Sequence, residues 1–210
     1  MSRLDRLYER YRVHHREEKQ EFVFGGDERG ALFESLVGGP GRRVLDVGCR
    51  TGALARYYAP GNEVVGVDVD RDALARARER LGIETHWADV EEGLPFDDAS
   101  FDVVVMGEVL EHLAGPAAAV ATVRRVLRPG GRFVGSVPNA FRLKSRFAYA
   151  RGRYPGDWDP THLQLFTPEA LRLLLDGFEQ VEVRFEIGRF TRLQPRLLAN
   201  VQVFSARKPG

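Results

Sequence analysis

The chain has one cysteine, Cys49, among 210 residues. No intrachain disulfide can form, and nothing points to an oxidising compartment. No run approaches ~18 apolar residues, so no transmembrane helix is expected. The N-terminal stretch MSRLDRLYERYRVHHREEKQ is charged throughout and lacks the apolar centre of a signal peptide. An excess of charge of either sign is also missing: 31 Lys and Arg balance 30 Asp and Glu, for a formal net charge of +1. Dedicated nucleic-acid binders carry a clear basic excess, so nucleic acid is not an expected partner. Lysine is scarce too, with Lys19, Lys144 and Lys208 among the 31 basic residues, a bias from which no function follows. Internal repeats and low-complexity segments are lacking. The expectation is a soluble, cytoplasmic protein.

What is there is ordinary globular material, 43% hydrophobic and 29% charged. The length predicts one domain over 1–210. Residues 1–20 read as a polar helix striped by Leu4, Leu7, Tyr8 and Tyr11, and 27–37 as a second helix stopped by Gly38-Gly39-Pro40-Gly41. Together, 1–38 are expected to form a helical cap. Strands are predicted over 43–47, 62–67, 83–88, 101–106 and 132–137. Helices are predicted after the glycine turn that follows the first strand, over 70–81, and over 116–127. Such alternation builds a doubly wound parallel α/β sheet. Residues 139–166 are aromatic and basic with no clean period, and read as an acceptor-side lid insertion. A helix over 168–176, with Thr167 as N-cap and Gly177 past its end, precedes strands at 181–185 and 198–205. With no helix between them, these two strands should pair antiparallel.

The first strand runs into Gly48-Cys49-Arg50-Thr51-Gly52. In open α/β sheets, ligands bind beyond the carboxyl ends of the strands. Asp68 ends the second strand, 20 residues after Gly48, where an acid can accept from both ribose hydroxyls. The glycine spacing is G-x-x-x-G rather than the dinucleotide G-x-G-x-x-G. Asp46, just before the turn, would repel a pyrophosphate but pair with an ammonium group. S-adenosylmethionine carries adenosine, an α-ammonium and a carboxylate, and no phosphate. Asp46, Asp68 and Asp89 each meet a donor on that molecule, Asp89 at the adenine amine. Singly, each acid reads as readily as a helix cap or a solvated turn. At the ends of three successive strands they read as one site.

Val44-Leu45-Asp46-Val47-Gly48-Cys49-Arg50-Thr51-Gly52 resembles the first motif of the class I S-adenosylmethionine-dependent methyltransferases. Val65-Gly66-Val67-Asp68 resembles their second motif, and Asp89 with Gly93-Leu94-Pro95-Phe96 and Ser100-Phe101-Asp102 their third. Leu127-Arg128-Pro129-Gly130-Gly131 is similar to their turn before strand five. The resemblance covers about residues 40–140. It implies a Rossmann-like seven-stranded sheet of order 3-2-1-4-5-7-6 with the last strand antiparallel. It also implies a cofactor site in which Gly48, Cys49, Arg50, Gly52, Val69, Val90 and Met106 accompany the three acids. The family usually has glycine where this chain has Arg50. Three readings of Arg50 stay open: it pairs with the cofactor carboxylate, points to solvent, or weakens binding.

Methyl transfer from a sulfonium is an in-line displacement from an activated donor, so the protein's main task is alignment. An alcohol or phenol must also lose a proton, to a base or with help from a metal. After the fourth strand come Met106-Gly107-Glu108-Val109-Leu110-Glu111-His112. Glu108, Glu111 and His112 would share one face of a helix. Asp159-Pro160-Thr161-His162 follows fifty residues on. E-x-x-E-H with a later histidine resembles two metal-using groups, the ubiquinone-pathway O-methyltransferases and the small-RNA terminal 2′-O-methyltransferases. That resemblance implies Mg²⁺ or Mn²⁺ on Glu108, Glu111, His112 and His162. Leu-Glu-His stands in the same place in relatives without a known metal, so a metal-free base at His112, or a structural role, are alternatives. His14, His15 and His86 read as surface or core.

Charge is unevenly laid out. Residues 81–112 hold nine acids and no Lys or Arg, while 139–154 hold Arg142, Lys144, Arg146, Arg151 and Arg153 and no acid. Phe141, Phe147, Tyr149 and Tyr154 interleave with these cations. The mixture suits a phosphorylated, carboxylated or lipid-linked acceptor, or an anionic membrane surface. It equally suits a solvated helix with its aromatic face in the core. Residues 137–168 are also similar to methyltransferases of sugar and cell-surface biosynthesis, and to a methionine-biosynthesis protein of this fold. The expected function is O-methylation of a small or lipid-linked hydroxyl, with His112 as catalytic residue. The alternative is a catalytically weak or inactive partner subunit that binds another protein, with a dehydrogenase third.

Overall fold

Strand β4 (Phe101–Gly107) sends Val103 and Val105 into one apolar layer and Val104 and Met106 into another. A strand covered on both faces needs apolar residues at consecutive positions, which is what FDVVVM supplies. The computed structural model describes residues 2–14, 25–153, 159 and 161–210, without the side chains of 10–14. Seven strands among the described residues form one sheet: β1 (Arg43–Val47), β2 (Glu63–Asp68), β3 (Glu84–Trp87), β4, β5 (Leu127–Pro138), β6 (Glu179–Glu186) and β7 (Val201–Arg207). Their order is β3-β2-β1-β4-β5-β7-β6, as the family resemblance implies. The first five are mutually parallel, and β7 runs antiparallel to both of its neighbours.

Helices α2 (Gly26–Val37) and α3 (Arg71–Leu81) cover one face through Phe33, Val37 and Ala77. Helices α4 (Pro116–Val126) and α6 (Pro168–Leu174) cover the other through Val120, Val123, Val126 and Leu171. Asp70 caps α3 by accepting from the Asp72 and Ala73 amides at 3.0 Å, and Thr167 caps α6 through the Ala170 amide at 3.1 Å. Each cap offsets an orphaned helix donor, worth about 1 kcal/mol. Of the cap expected over 1–38, helix α1 (Arg3–His14) and α2 are described, and α2 packs on the sheet itself. The expected helix over 15–20 and the residues His15, Tyr154 and Pro160 lie outside the described residues, as do the side chains of Tyr11 and His14.

The structure departs from expectation in four places. After the glycine turn there is a single 3₁₀ turn, Ala55–Tyr57, rather than an α-helix. Pro60 follows closely and disfavours helical backbone at Ala59. β5 begins at Leu127, but its pairing with β4 jumps from Phe101↔Leu127 to Val103↔Arg132, so the intervening Arg-Pro-Gly-Gly bulges out. The segment without period contains helix α5 (Leu143–Ala150), which buries none of its residues and so has no reason to show an apolar stripe. Between β6 and β7 stands a one-turn helix, α7 (Pro195–Leu198), started by its proline.

Candidate functional site

An open cleft of ≈ 530 Å³ lies at the carboxyl edge of the sheet. Strand order lays the acids out across it: Asp89 after β3, Asp68 at the end of β2, Asp46 in β1, then Glu108 to His112 after β4. Neighbouring strands are about 4.8 Å apart, so β3 to β4 spans roughly 14 Å. That suits an extended nucleoside with an amino-acid tail. Gly48 keeps the floor low. Its φ is +77°, and a Cβ there would stand 2.3 Å from Val109 Cγ2. Only glycine meets both conditions.

Asp46 shares its face of β1 with Val44, so its carboxylate points under α2 and is buried. Burial pushes its carboxyl up to about 7, with the Asp68 charge adding to the rise. Tyr58 Oη, donating at 2.9 Å, and the Arg29 charge pull the other way. Burial also pushes Asp68 up to about 6, against the amides of Asp70 and Arg50, which donate to its two oxygens at 2.8 and 2.9 Å. Asp89 accepts from the Glu91 amide at 3.0 Å. Arg3 of α1 brings Nε to 2.8 Å from Asp89 Oδ2, an ion pair without the alignment of a hydrogen bond, and Nη2 to 2.9 Å from Glu91 Oε2. Tyr8 ties the same helix down by donating to Asp72 Oδ2 at 2.6 Å.

Glu108, Glu111 and His112 do not share a helical face. Glu108 is left-handed at φ +59°, and only a 3₁₀ turn, Leu110–His112, follows. Glu108 Oε1 accepts from Ser136 Oγ at 2.7 Å and lies 3.8 Å from Arg29 Nη2. The structure brings together Glu111, His112 and His162, whose ligand atoms lie within 4.8 Å of one another. Both Glu111 oxygens are buried and accept no hydrogen bond among the described residues, and His112 Nε2 stands 3.9 Å from Oε1. Burial first, and then the Glu108 charge, hold this carboxyl well above its ordinary range. His112 Nδ1 faces Thr161 Oγ1 at 2.9 Å and Thr161 O at 3.1 Å. The Thr161 hydroxyl spends its proton on Asp159 Oδ1, so His112 Nδ1 must donate and the lone pair falls on Nε2, toward Glu111. His162 packs edge-on against His112 at 4.7 Å, with Nε2 3.5 Å from Asp159 Oδ2.

Residues 45–135 match the methyltransferase domain family. This segment is a methyltransferase domain. The chain is 39% identical over 127 residues to a ubiquinone biosynthesis O-methyltransferase of Alkalilimnicola ehrlichii, covering 58% of this chain and 51% of that protein. It is 36% identical over 105 residues to a demethylmenaquinone methyltransferase of Symbiobacterium thermophilum, covering 45% and 42%. The chain thus spans about half the length of these relatives. Among solved structures, the fold matches an S-adenosylmethionine-dependent methyltransferase of Archaeoglobus fulgidus at a TM-score of 0.69 and 21% identity, over 88% of this chain and 98% of that one.

Within the methyltransferase domain, Asp46, Gly48, Cys49, Arg50, Asp68, Val69, Asp89 and Val90 line the cleft, as do Glu108, Glu111, His112 and, beyond the domain, His162. Gly52 and Met106 do not. Gly52, at φ +73°, packs toward Leu81, and Met106 points into the opposite layer because the pleat puts it out of phase with Val105 and Gly107. His86 is also outside, against Glu84 and Phe96. Nothing in the sequence motifs marks Arg29, Tyr58 or Ser136, and Asp159 and Thr161 stand there only as the stretch that carries His162. Arg29 left a signal, since it heads the buried stripe of α2 that continues at Phe33 and Val37. A charge on such a stripe calls for a buried partner.

Arg50 takes the left-handed conformation that glycine would, at φ +48°. Its amide still donates to Asp68, its side chain lines the cleft wall, and Nη2 is buried without a partner among the described residues. The cleft stays open beside it. Arg50→Gly is expected to stabilise the unliganded domain by about 0.5–1 kcal/mol, because a side chain at positive φ is strained. Thermal denaturation would show this as a higher midpoint.

Proposed function

We propose that the chain transfers a methyl group from S-adenosylmethionine to a hydroxyl of a small or lipid-linked acceptor. One arrangement carries this: three buried acids in strand order along a single cleft, followed by Glu111, His112 and His162. The residues fit the cofactor. Asp46 holds the ammonium, whose positive charge offsets the burial that raises its carboxyl. Asp68 takes the ribose hydroxyls with lone pairs left over from its two amide donors. Asp89 takes the adenine amine beside Arg3. Arg29 Nε and Arg50 Nη2, both buried without a partner among the described residues, supply counter-charge for the carboxylate. When bound, the cofactor supplies a methyl group on a sulfonium that needs no further activation.

His112 Nε2, made basic by the donating Nδ1, removes the acceptor proton, and the positive ring that results favours the ionised form of Glu111 beside it. The same residues fit a divalent cation: a buried carboxylate with no hydrogen bond among the described residues converges with two imidazoles. Two nitrogen donors shift the preference from Mg²⁺ toward Mn²⁺. Bound there, a cation would supply Lewis acidity toward the acceptor hydroxyl. Glu108 stays with Ser136 and Arg29 in this reading. The ubiquinone O-methyltransferases among the relatives support oxygen as the acceptor atom.

Calorimetry with S-adenosylmethionine and its demethylated product tests the reading, with NAD as control. Both are expected to bind and NAD is not. Asp68→Ala should weaken binding more than about tenfold, since hydrogen bonds to a charged group are worth roughly 1.5–3 kcal/mol each. Full affinity in that variant, or no binding by the parent chain, would overturn the reading. No binding together with a stable hetero-complex would favour a partner subunit instead.

A further inference from the structure

Two segments that carry no acid meet at the wall of the cleft. Residues 139–153 hold Arg142, Lys144, Arg146, Arg151 and Arg153, and residues 187–200 hold Arg189, Arg192 and Arg196. The segments are bound to each other. Asn139 Nδ2 donates to the Arg196 and Ala199 carbonyls at 3.0 Å, the Asn139 amide donates to Asn200 O at 2.8 Å, and the Arg142 guanidinium donates to Asn200 Oδ1. Arg142 and Asn200 both line the cleft, so the junction of the two segments lies at its wall, and the segments together carry eight cations in a chain whose net charge is only +1. Lys144, Arg189 and Arg192 form no ion pair among the described residues.

Large apolar side chains stand uncovered among these cations. Phe147 of α5 is 57% exposed and Leu143, one turn before it, 40%. In the other segment Phe190 is 52% and Leu193 80% exposed. The aromatic face of α5 is therefore not in the core. Tyr149 lines the cleft and donates to Ala140 O at 2.6 Å, while Phe147 points outward. Single exposed apolar residues are ordinary. Four of them interleaved with eight cations make the pattern that binds a bilayer interface, apolar tips in the headgroup region and cations against anionic lipid. Two of the four are leucines, which offer nucleobases no stacking surface.

We propose that this rim docks the mouth of the cleft onto an anionic lipid bilayer. Docking rests on the methyltransferase reading only for what then enters the cleft, a lipid-linked hydroxyl acceptor lying in the membrane plane.

Co-sedimentation of the full chain with vesicles tests this. Binding is expected to phosphatidylglycerol-containing vesicles and not to pure phosphatidylcholine. Lys144→Ala with Arg192→Ala should lower the partition coefficient about thirtyfold, two charges' worth at the surface of an anionic membrane. Phe147→Ser with Leu193→Ser should lower it about tenfold or more. None of these four residues lines the cleft, so affinity for the demethylated cofactor should be unchanged in both variants, which also reports that they fold. Failure to bind phosphatidylglycerol vesicles, equal binding to both lipids, an apolar variant that binds like the parent chain, or tighter binding to single-stranded RNA than to vesicles would overturn the proposal. Cofactor affinity is read separately, so loss of the methyltransferase reading and loss of docking are distinguishable.

Discussion

Asp46→Asn is expected to weaken S-adenosylmethionine binding at least a hundredfold while making the unliganded protein more stable at pH 8. The affinity loss follows from leaving a buried ammonium without its counter-ion, which costs about 3–5 kcal/mol. The stability gain follows from the burial that pushes the Asp46 carboxyl up to about 7 from 3.8. A raised acid pKa means that the folded state holds the proton more tightly than the unfolded chain does. The group's contribution is therefore fully present below the unfolded value and lost as pH rises through about 7. At pH 8 the parent chain carries a buried carboxylate that asparagine avoids, while the Tyr58 hydroxyl still has an oxygen to donate to. The gain is roughly 2–4 kcal/mol. The same titration makes cofactor affinity in the parent chain rise about tenfold between pH 6 and pH 8. That slope should flatten in the variant. Thermal melts and calorimetry across pH check all three statements, and a variant no more stable than the parent at pH 8 would contradict the burial argument.

His112→Ala should lower kcat by about 10²–10⁴ with cofactor affinity unchanged, the usual worth of a positioned base. The measurement is the rate of demethylated-cofactor release with any hydroxyl acceptor that the parent chain turns over. Thr161→Val should cost less, about tenfold, because Thr161 O still accepts from His112 Nδ1 when the hydroxyl is gone. His162→Ala separates the two ways His112 can act. If a divalent cation is held, this variant loses both turnover and Mn²⁺ binding by calorimetry. If His112 acts alone, turnover survives and the parent chain binds no Mn²⁺. Glu111→Gln adds a readout that needs no acceptor. Replacing a carboxyl that burial holds far above its ordinary range should raise the melting temperature at neutral pH, as with Asp46.

Much of the site was legible because it is local. The glycine turn, Asp46 just before its first glycine and Asp68 at the end of the next strand are set by short-range chemistry: a backbone that must turn at positive φ, and strands that deliver their last side chain to one edge. The histidine cluster was half legible. Glu111 and His112 are neighbours in sequence, and His162 was named with them. Glu108 was placed with them on the assumption of a helix, and a left-handed residue followed by a single 3₁₀ turn sends it to Ser136 and Arg29 instead. Met106 shows the same limit. The family resemblance puts it at the cofactor, but the pleat of β4 aims it into the core.

By itself the sequence determined the alternation of strands and helices, and with it the carboxyl edge at which the acids gather, because periodicity and turn residues act over a few positions. Only the tertiary structure decided that Arg29 faces Asp46 and Glu108, that Thr161 sets the proton on His112, and that the residues leading into α5 are tied to the segment before β7. Each of these is a contact between residues far apart in the chain. It depends on which strands adjoin and how the helices roll against them, and no local pattern encodes that.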